Sequence, residues 1–256
     1  MIEIKNRHEI ELMREAGRIT AQALVAAKDA ARVGVTPKEL DDVAAEVIAG
    51  AGAEPLFLNY RPSSASTPFP AVTCISVNDA IVHGIPSTEP LRPGDLVSID
   101  CGARLRGWSG DAAISFIVGD DPDVGDQHLI DVTTAALQAG IDAAQPGNKI
   151  GDIAHAIGTV ARAAGYGLME GHGGHGIGRE MHEAPHVPNE GRPNRGYRLR
   201  PGLVLAIEPM LIAGGTDEYR EDDDGWTLRT VDHTRAAHVE HTVAITADGP
   251  QVLTQV

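Results

Sequence analysis

The sequence predicts an α+β fold made of two similar halves, each with helices followed by strands and the helices lying on one face of the sheet. Two recurrences predict it. Leu91-Arg-Pro-Gly-Asp-Leu-Val-Ser-Ile-Asp100 returns as Leu199-Arg-Pro-Gly-Leu-Val-Leu-Ala-Ile-Glu208, and Leu40-Asp-Asp-Val-Ala44 returns at nearly the same displacement as Ile150-Gly-Asp-Ile-Ala154. A third observation gives the repeat a chemical meaning. Each copy ends in a carboxylate, Asp100 or Glu208, and continues to a second one, Asp111 or Glu240, at the head of another apolar run.

The elements follow in order. Asn6-x-x-Glu9 and Thr36-Pro-x-Glu39 are capping boxes, the second with Pro37 in the first turn, and apolar residues follow at helical spacing (Ile10, Met13; Leu40, Val43, Val47). They predict helices over 6–30 and 36–50. A second pair is predicted over 126–145, stopped by Pro146-Gly147, and over 150–164, stopped by Gly165. Strands are predicted over 71–77, 96–101, 111–118, 203–212, 225–231 and 238–246, with Gly and Pro between them.

With 256 residues and no linker, a single domain over 1–256 is expected, its pseudo-twofold halves spanning roughly 1–120 and 121–256. The apolar share of 42% suits a soluble chain. No apolar run is long enough to span a membrane, and Met-Ile-Glu-Ile-Lys is not a signal peptide, so a cytoplasmic protein without a membrane partner is expected. Cys74 and Cys101 have no metal-type spacing and are expected to be reduced. A net charge of −15 argues against DNA or broad phosphate binding, although the Arg192–Arg200 stretch is locally basic.

Leu105-Arg-Gly107 is a turn that folds Asp100 and Asp111 nearly opposite one another. Four carboxylates sharing one interior repel one another and need counter-charge, which divalent cations supply. His175, in Gly171-His-Gly-Gly-His-Gly-Ile-Gly178, offers a nitrogen ligand from a segment too glycine-rich for a helix. His172 in the same run reads as an incidental loop residue. His8, His128 and His155 read as helix surface or packing residues, and nothing marks His233, His238 or His241. His182-Glu-Ala-Pro-His186 matches the H-E-x-x-H pattern of zinc proteases, but a helix there would have to hold Pro185 at a cost of about 3 kcal/mol.

The whole set of motifs resembles the type I methionine aminopeptidases. It comprises Cys74-Ile-Ser-Val-Asn-Asp-x-x-x-His-Gly-Ile-Pro86, Ile99-Asp100 with Gly110-Asp111, Gly174-His-Gly-Ile-Gly178, Met181-His-Glu-x-Pro185, Ile207-Glu-Pro-Met210 and Glu240-His-Thr-Val243. The resemblance implies the pita-bread fold, internally duplicated half-domains with a curved antiparallel sheet covered by helices on one face, forming one catalytic domain. There is no type II insertion between His182 and Glu208, and no zinc-finger or prolidase-type N-terminal domain is expected. The implied activity is removal of the initiator methionine from nascent chains when the next residue is small.

By the same resemblance, Asp100, Asp111, His175, Glu208 and Glu240 are ligands of two divalent ions, with Asp111 and Glu240 bridging. Four carboxylates and one imidazole form a hard set suited to Mn²⁺, Fe²⁺ or Co²⁺. A water between such ions is acidified toward a pKa of about 7. Glu208 is expected to handle its proton, His182 to contact the scissile amide and its oxyanion, and His83 to assist with the substrate backbone and proton transfer. The methionine pocket is expected from Tyr60, Phe69, Cys74, His83, Met181, His182 and Trp226. Phe69 stands where the family usually has Tyr and Met181 where many members have Phe, and Arg61–Pro68 reads as an inserted loop. A monomer is expected, with ribosome contact through the Arg192–Arg200 stretch. The rival readings are an X-Pro-type pita-bread exopeptidase and a non-catalytic pita-bread binding protein, the latter disfavoured because all five ligands are kept.

Overall fold

The computed structural model describes every residue except Met1, Ser64 and Asp121, so the expected division between halves at 120/121 falls on a residue outside the description. In the first half, α1 (Arg7–Ala30) and α2 (Pro37–Gly50) precede β1 (Glu54–Pro55), β2 (Thr73–Val77), β3 (Ala80–Val82), β4 (Leu96–Leu105) and β5 (Trp108–Ile117). The second half opens with α3 (Val124–Ala143) and α4 (Ile150–Ala163), followed by β6 (Gly167–Leu168), β7 (Gly173–Gly176) and β8 (Glu183–Pro188). It ends with β9 (Val204–Ile207), β10 (Met210–Ile212), β11 (Tyr219–Glu221), β12 (Leu228–Thr230), β13 (Ala236–His238), β14 (His241–Thr246) and β15 (Gly249–Val252). All four predicted helices are present within two residues of their expected ends. Both capping boxes form: the Asn6 carboxamide accepts from Glu9 N while Glu9 accepts from Asn6 N, and Thr36 and Glu39 do the same.

Pleat alternation decides which face of each strand meets the helices. Val97, Ile99 and Cys101 of β4 pack with Ile19, Leu24, Leu40 and Ile48 of α1 and α2. Asp100, one residue out of step with them, therefore points to the opposite face. The second half repeats the arrangement: Leu205 and Ile207 of β9 and Val243 and Ile245 of β14 pack with Leu137, Ile141, Ile153 and Ile157 of α3 and α4. Glu208 and Glu240 then fall on the face turned away from those helices.

The first hairpin corrects one expectation. Arg106 and Gly107 both have positive φ (52° and 78°), a two-residue turn whose twist matches the strands and extends them to 96–105 and 108–117. Pairing Leu105 with Trp108 puts Asp100 opposite Ala113 and Asp111 opposite Gly102, so the aspartates are diagonal neighbours on one face rather than directly opposed. Gly102 is the residue that this crowding allows, since a Cβ there would stand 3.2 Å from Asp111 Oδ1 and 2.8 Å from Leu56 Cδ1.

Other strand expectations break at identifiable points. The predicted 203–212 strand is interrupted at Glu208-Pro209, where proline has no N–H to give, and 238–246 is divided before β14. The 225–231 strand shortens to β12 because Asp224 accepts from the Trp226 and Thr227 amides and turns the chain. β7 and β8 are additions that the sequence reading did not contain. Gly174 and Gly176 let β7 lie between β8 and β9, because a Cβ at either would come within 2.1 Å of Ala206 O or 2.3 Å of Ala184 O.

The halves meet along a short seam. Ala113 and Glu240 exchange backbone hydrogen bonds (3.3 and 3.0 Å). Thr242 Oγ1 accepts from Asp111 N (2.9 Å) and donates to Asp111 O (2.7 Å), and Ser115 Oγ donates to His238 O (2.7 Å). This seam sets the residues of the β4–β5 hairpin and of the β9–β14 strand pair, the two carriers of the carboxylates, side by side. Among the described residues no helix is long and apolar enough to cross a membrane.

Candidate metal centre and adjoining cleft

A cavity of about 380 Å³ lies beside the seam and is lined by Asp100, Asp111, His175, Glu208 and Glu240 together. Ligand atoms of Asp111, His175 and Glu240 all lie within 4.8 Å of one another, as do those of Glu208, His238 and Glu240. His175 reaches the centre from β7, and its Nδ1 donates to Gly176 O at 2.9 Å. A carbonyl can only accept, so the proton is fixed on Nδ1. The Nε2 lone pair is left facing Glu208 Oε1 at 3.5 Å.

Burial dominates the electrostatics. It pushes the Asp100 carboxyl well above the ordinary range, with the charges of Asp111 and Glu208 adding to the effect. Asp111 is raised well above that range by burial and then by Glu208, Glu240 by burial and then by Asp111, and Glu208 to about 8 by burial. Burial drives His175 down to about 3, so its imidazole is neutral and able to bind a cation. Asp100 Oδ1, Asp111 Oδ1 and Glu240 Oε1 are buried without a hydrogen-bond partner, and among the described residues no Lys or Arg lines the cavity. Orphaned anionic oxygens converging with a neutral imidazole lone pair are the donor set that hard divalent cations require.

An apolar wall adjoins these carboxylates. Phe57, Phe69, Ala71, Cys74 and Met181 form one buried cluster with Tyr60 and Trp226 packed against it, and Phe69 meets Trp226 edge-on at a centroid distance of 5.1 Å. Every residue that the sequence reading placed in the substrate pocket lines this cavity; Phe57, Val82 and Met210 line it as well and were missed. The inserted loop does not displace the wall. Tyr60 O accepts from Phe69 N and Phe69 O accepts from Asn59 N, both at 2.9 Å, so the loop leaves and returns at one point. Ser64 within it lies outside the described residues.

His182 stands at the cavity mouth with Nδ1 3.0 Å from the Tyr60 hydroxyl. Its ring lies 4.3 Å, centroid to centroid, from His175. His83, at φ 59°, faces Trp226, and burial holds its imidazole at about 3. The H-E-x-x-H segment lies on and beside a strand, so His182 and His186 are not on one helical face. Two expectations need correction. His172 lines the cavity and packs edge-on against Tyr219 at 5.0 Å, rather than standing idle in a loop. His238 is buried beside Glu208 and Glu240; its spacing two residues before Glu240 was the available signal, hidden by the break between β13 and β14.

Comparison with known proteins bears on the family and the fold. The pattern of metallopeptidase family M24 matches residues 11–247. Methionine aminopeptidase 1 of Mycobacterium tuberculosis is 52% identical over 96% of this chain and 92% of its own length, and that of Bacillus subtilis is 42% identical over the whole of both. The crystal structure of methionine aminopeptidase from Thermotoga maritima superposes with a TM-score of 0.95 at 38% identity over all of both chains. Prolidase from Pyrococcus furiosus shares the fold at a TM-score of 0.79 and 25% identity, covering 99% of this chain and 65% of that one. The duplicated pita-bread architecture expected from the sequence is the one observed.

The raised carboxyls give a signed pH dependence. Between the ordinary carboxyl range of about 4 and the folded values, the folded chain holds protons that the unfolded chain has released, so stability falls as pH rises. His83, His175 and His238 are depressed and act in the opposite sense, but only below about pH 6.5, where unfolded histidine still binds a proton. The clean window is therefore about pH 7 to 8, bounded above by Glu208. In chelator-treated protein the melting temperature should fall across that window, and added Mn²⁺ should raise it most at the upper end. A metal-free melting temperature that climbs from pH 7 to 8 contradicts the assignment of buried, cation-seeking carboxylates.

Proposed function

We propose that Asp100, Asp111, His175, Glu208 and Glu240 would hold two divalent cations in this chain, which belongs to metallopeptidase family M24. Its activity is that of the methionine aminopeptidases it matches along its full length: hydrolytic removal of the N-terminal methionine of new chains. The observation that carries the reading is the joining of unpaired buried carboxylates and the His175 lone pair to an apolar, aromatic-walled cavity. We further propose that residues 1–256 act as one catalytic domain of two pseudo-twofold halves, and that Mn²⁺, Fe²⁺ or Co²⁺ fills the site.

When bound, such a pair of ions supplies positive charge that acidifies a water and polarises the scissile carbonyl. The protein groups do the rest. Glu208, whose carboxyl group stands between His175 and His238, is placed to take the attacking water's proton and return it to the leaving amine. If the Tyr60 hydroxyl donates to His182 Nδ1, the proton of His182 lies on Nε2, where it can hydrogen-bond the oxyanion as it develops. His83, kept neutral by burial, faces the substrate backbone. Phe69, Cys74, Met181 and Trp226, with Tyr60 at the rim, receive the methionine side chain; the flexible Met181 thioether adapts to the substrate's own. A small second residue is the one that fits past His182 at the mouth.

The test uses Met-Ala-Ser and Ala-Pro peptides with metal-stripped and Mn²⁺-loaded enzyme. Turnover of Met-Ala-Ser only when loaded is expected, with Ala-Pro turnover lower by about 10²-fold or more; faster Ala-Pro cleavage would establish the X-Pro reading in its place. His182→Ala should lower kcat by about 10²-fold with metal content unchanged, and His186→Ala should be mild. Metal loss in both variants would overturn the roles given to these histidines.

Arg192, Arg195, Arg198 and Arg200 are exposed on a chain of net charge −15, and Arg195 O accepts from Gly151 N at the start of α4, which anchors the loop. We propose this patch as the contact with ribosomal RNA phosphate for a cytoplasmic monomer that meets neither DNA nor membrane. Reversing Arg195 and Arg198 to Glu should weaken ribosome co-sedimentation at low salt and leave tripeptide turnover intact. Equal co-sedimentation of the variant removes the proposal, as a dimer in size-exclusion chromatography removes the monomer.

A further inference from the structure

His238 has no place in the ligand set above, yet it is 2% exposed and its ring enters the carboxylate cluster from the end of β13. The backbone there is held on both sides. His238 O accepts from Ser115 Oγ at 2.7 Å, and His238 N points to Ser98 Oγ and Ser115 Oγ at 3.3 and 3.2 Å, so the ring enters the cluster from a fixed base. Nε2 stands 3.4 Å from Glu208 Oε2 and 4.0 Å from Glu240 Oε2 and has no other partner.

Two imidazoles thus flank one carboxylate. His175 Nε2 faces Glu208 Oε1 and His238 Nε2 faces Glu208 Oε2. They differ in what fixes the proton. A metal-binding histidine gives its other ring N–H to a carbonyl or carboxylate, which leaves a lone pair for the ion. His175 does so through Gly176 O, whereas among the hydrogen bonds of the described residues His238 Nδ1 has no such acceptor. With two carboxylates on its Nε2 side, the tautomer that electrostatics favours in His238 carries the proton on Nε2. A buried N–H left without an acceptor is costly, and 3.4 Å is a few tenths of an ångström beyond the usual 2.7–3.2 Å, so a small rotation of Glu208 satisfies it.

We propose that His238 is a positioning residue that donates from Nε2 to Glu208 Oε2 and so leaves Glu208 Oε1 to the ion shared with His175. The proposal rests on the two-metal reading of the site. It assigns the two similar-looking imidazoles opposite duties, one as lone-pair donor to a cation and one as proton donor to a carboxylate. Glu208 is thereby kept from turning both oxygens onto one ion.

The experiment compares wild type with His238→Gln, whose amide can still donate, and His238→Leu, which cannot. Pulsed EPR of the Mn²⁺-loaded wild type should show one imidazole nitrogen on the ions, and this measurement needs no variant to fold. His238→Leu should lose about tenfold or more in Mn²⁺ affinity and in kcat, with KM for Met-Ala-Ser within about twofold, and His238→Gln should recover to within about threefold of wild type. A second imidazole nitrogen on the ions would make His238 a ligand and overturn the proposal. So would a Gln variant as impaired as Leu, or a Leu variant equal to wild type. A wild type that binds no divalent ion fails the two-metal reading itself, a distinguishable result.

Discussion

Four carboxylates from two halves of the chain occupy one buried pocket, and their mutual repulsion is the constraint from which the rest of the structure takes its meaning. Asp100, Asp111 and Glu240 each leave a buried oxygen without a partner, and no basic side chain among the described residues lines the cavity to neutralise them. Burying anions in this way is tolerable only if cations complete the site or protons are taken up. The upward displacement of all four carboxyl groups is the proton-uptake side of that choice.

The fold meets the constraint by repetition. Each half covers one face of an antiparallel strand pair with two helices, which leaves the other face of that pair to carry acidic residues. The seam between Ala113 and Glu240, reinforced by Thr242 on both backbone groups of Asp111, then fixes the distance between the two acidic pairs. Selectivity is built next to the charge. The apolar wall around Phe69, Cys74, Met181 and Trp226 opens into the same cavity, so a side chain seated there carries its α-amino group and first amide toward the carboxylates.

Local signals made much of this legible in the sequence. The capping boxes at Asn6 and Thr36 and the apolar spacing after them placed α1 and α2, and the recurrence of Leu-Arg-Pro-Gly before Asp100 and Glu208 exposed the duplication. All five expected ligand residues line one cavity. What escaped was set by tertiary contact. The turn before Asp111 was legible, and only its closing pair, Leu105 with Trp108, which sets the two aspartates diagonal, was not; β7 looked like a loop because its glycines serve close strand packing rather than flexibility. His172 and His238 were passed over for the same reason: only the neighbouring chain segments, Tyr219 for one and Ser98 with Ser115 for the other, direct them into the cleft.

Four carboxylates and His175 built around two cations should take up Mn²⁺ in pairs, which anomalous diffraction from Mn²⁺-loaded crystals would reveal. Two peaks about 3.5–4 Å apart, both within reach of Asp111 and Glu240 and one beside His175, are the expected result. A cavity without anomalous density, or a lone peak held by His182 and His186, would contradict it.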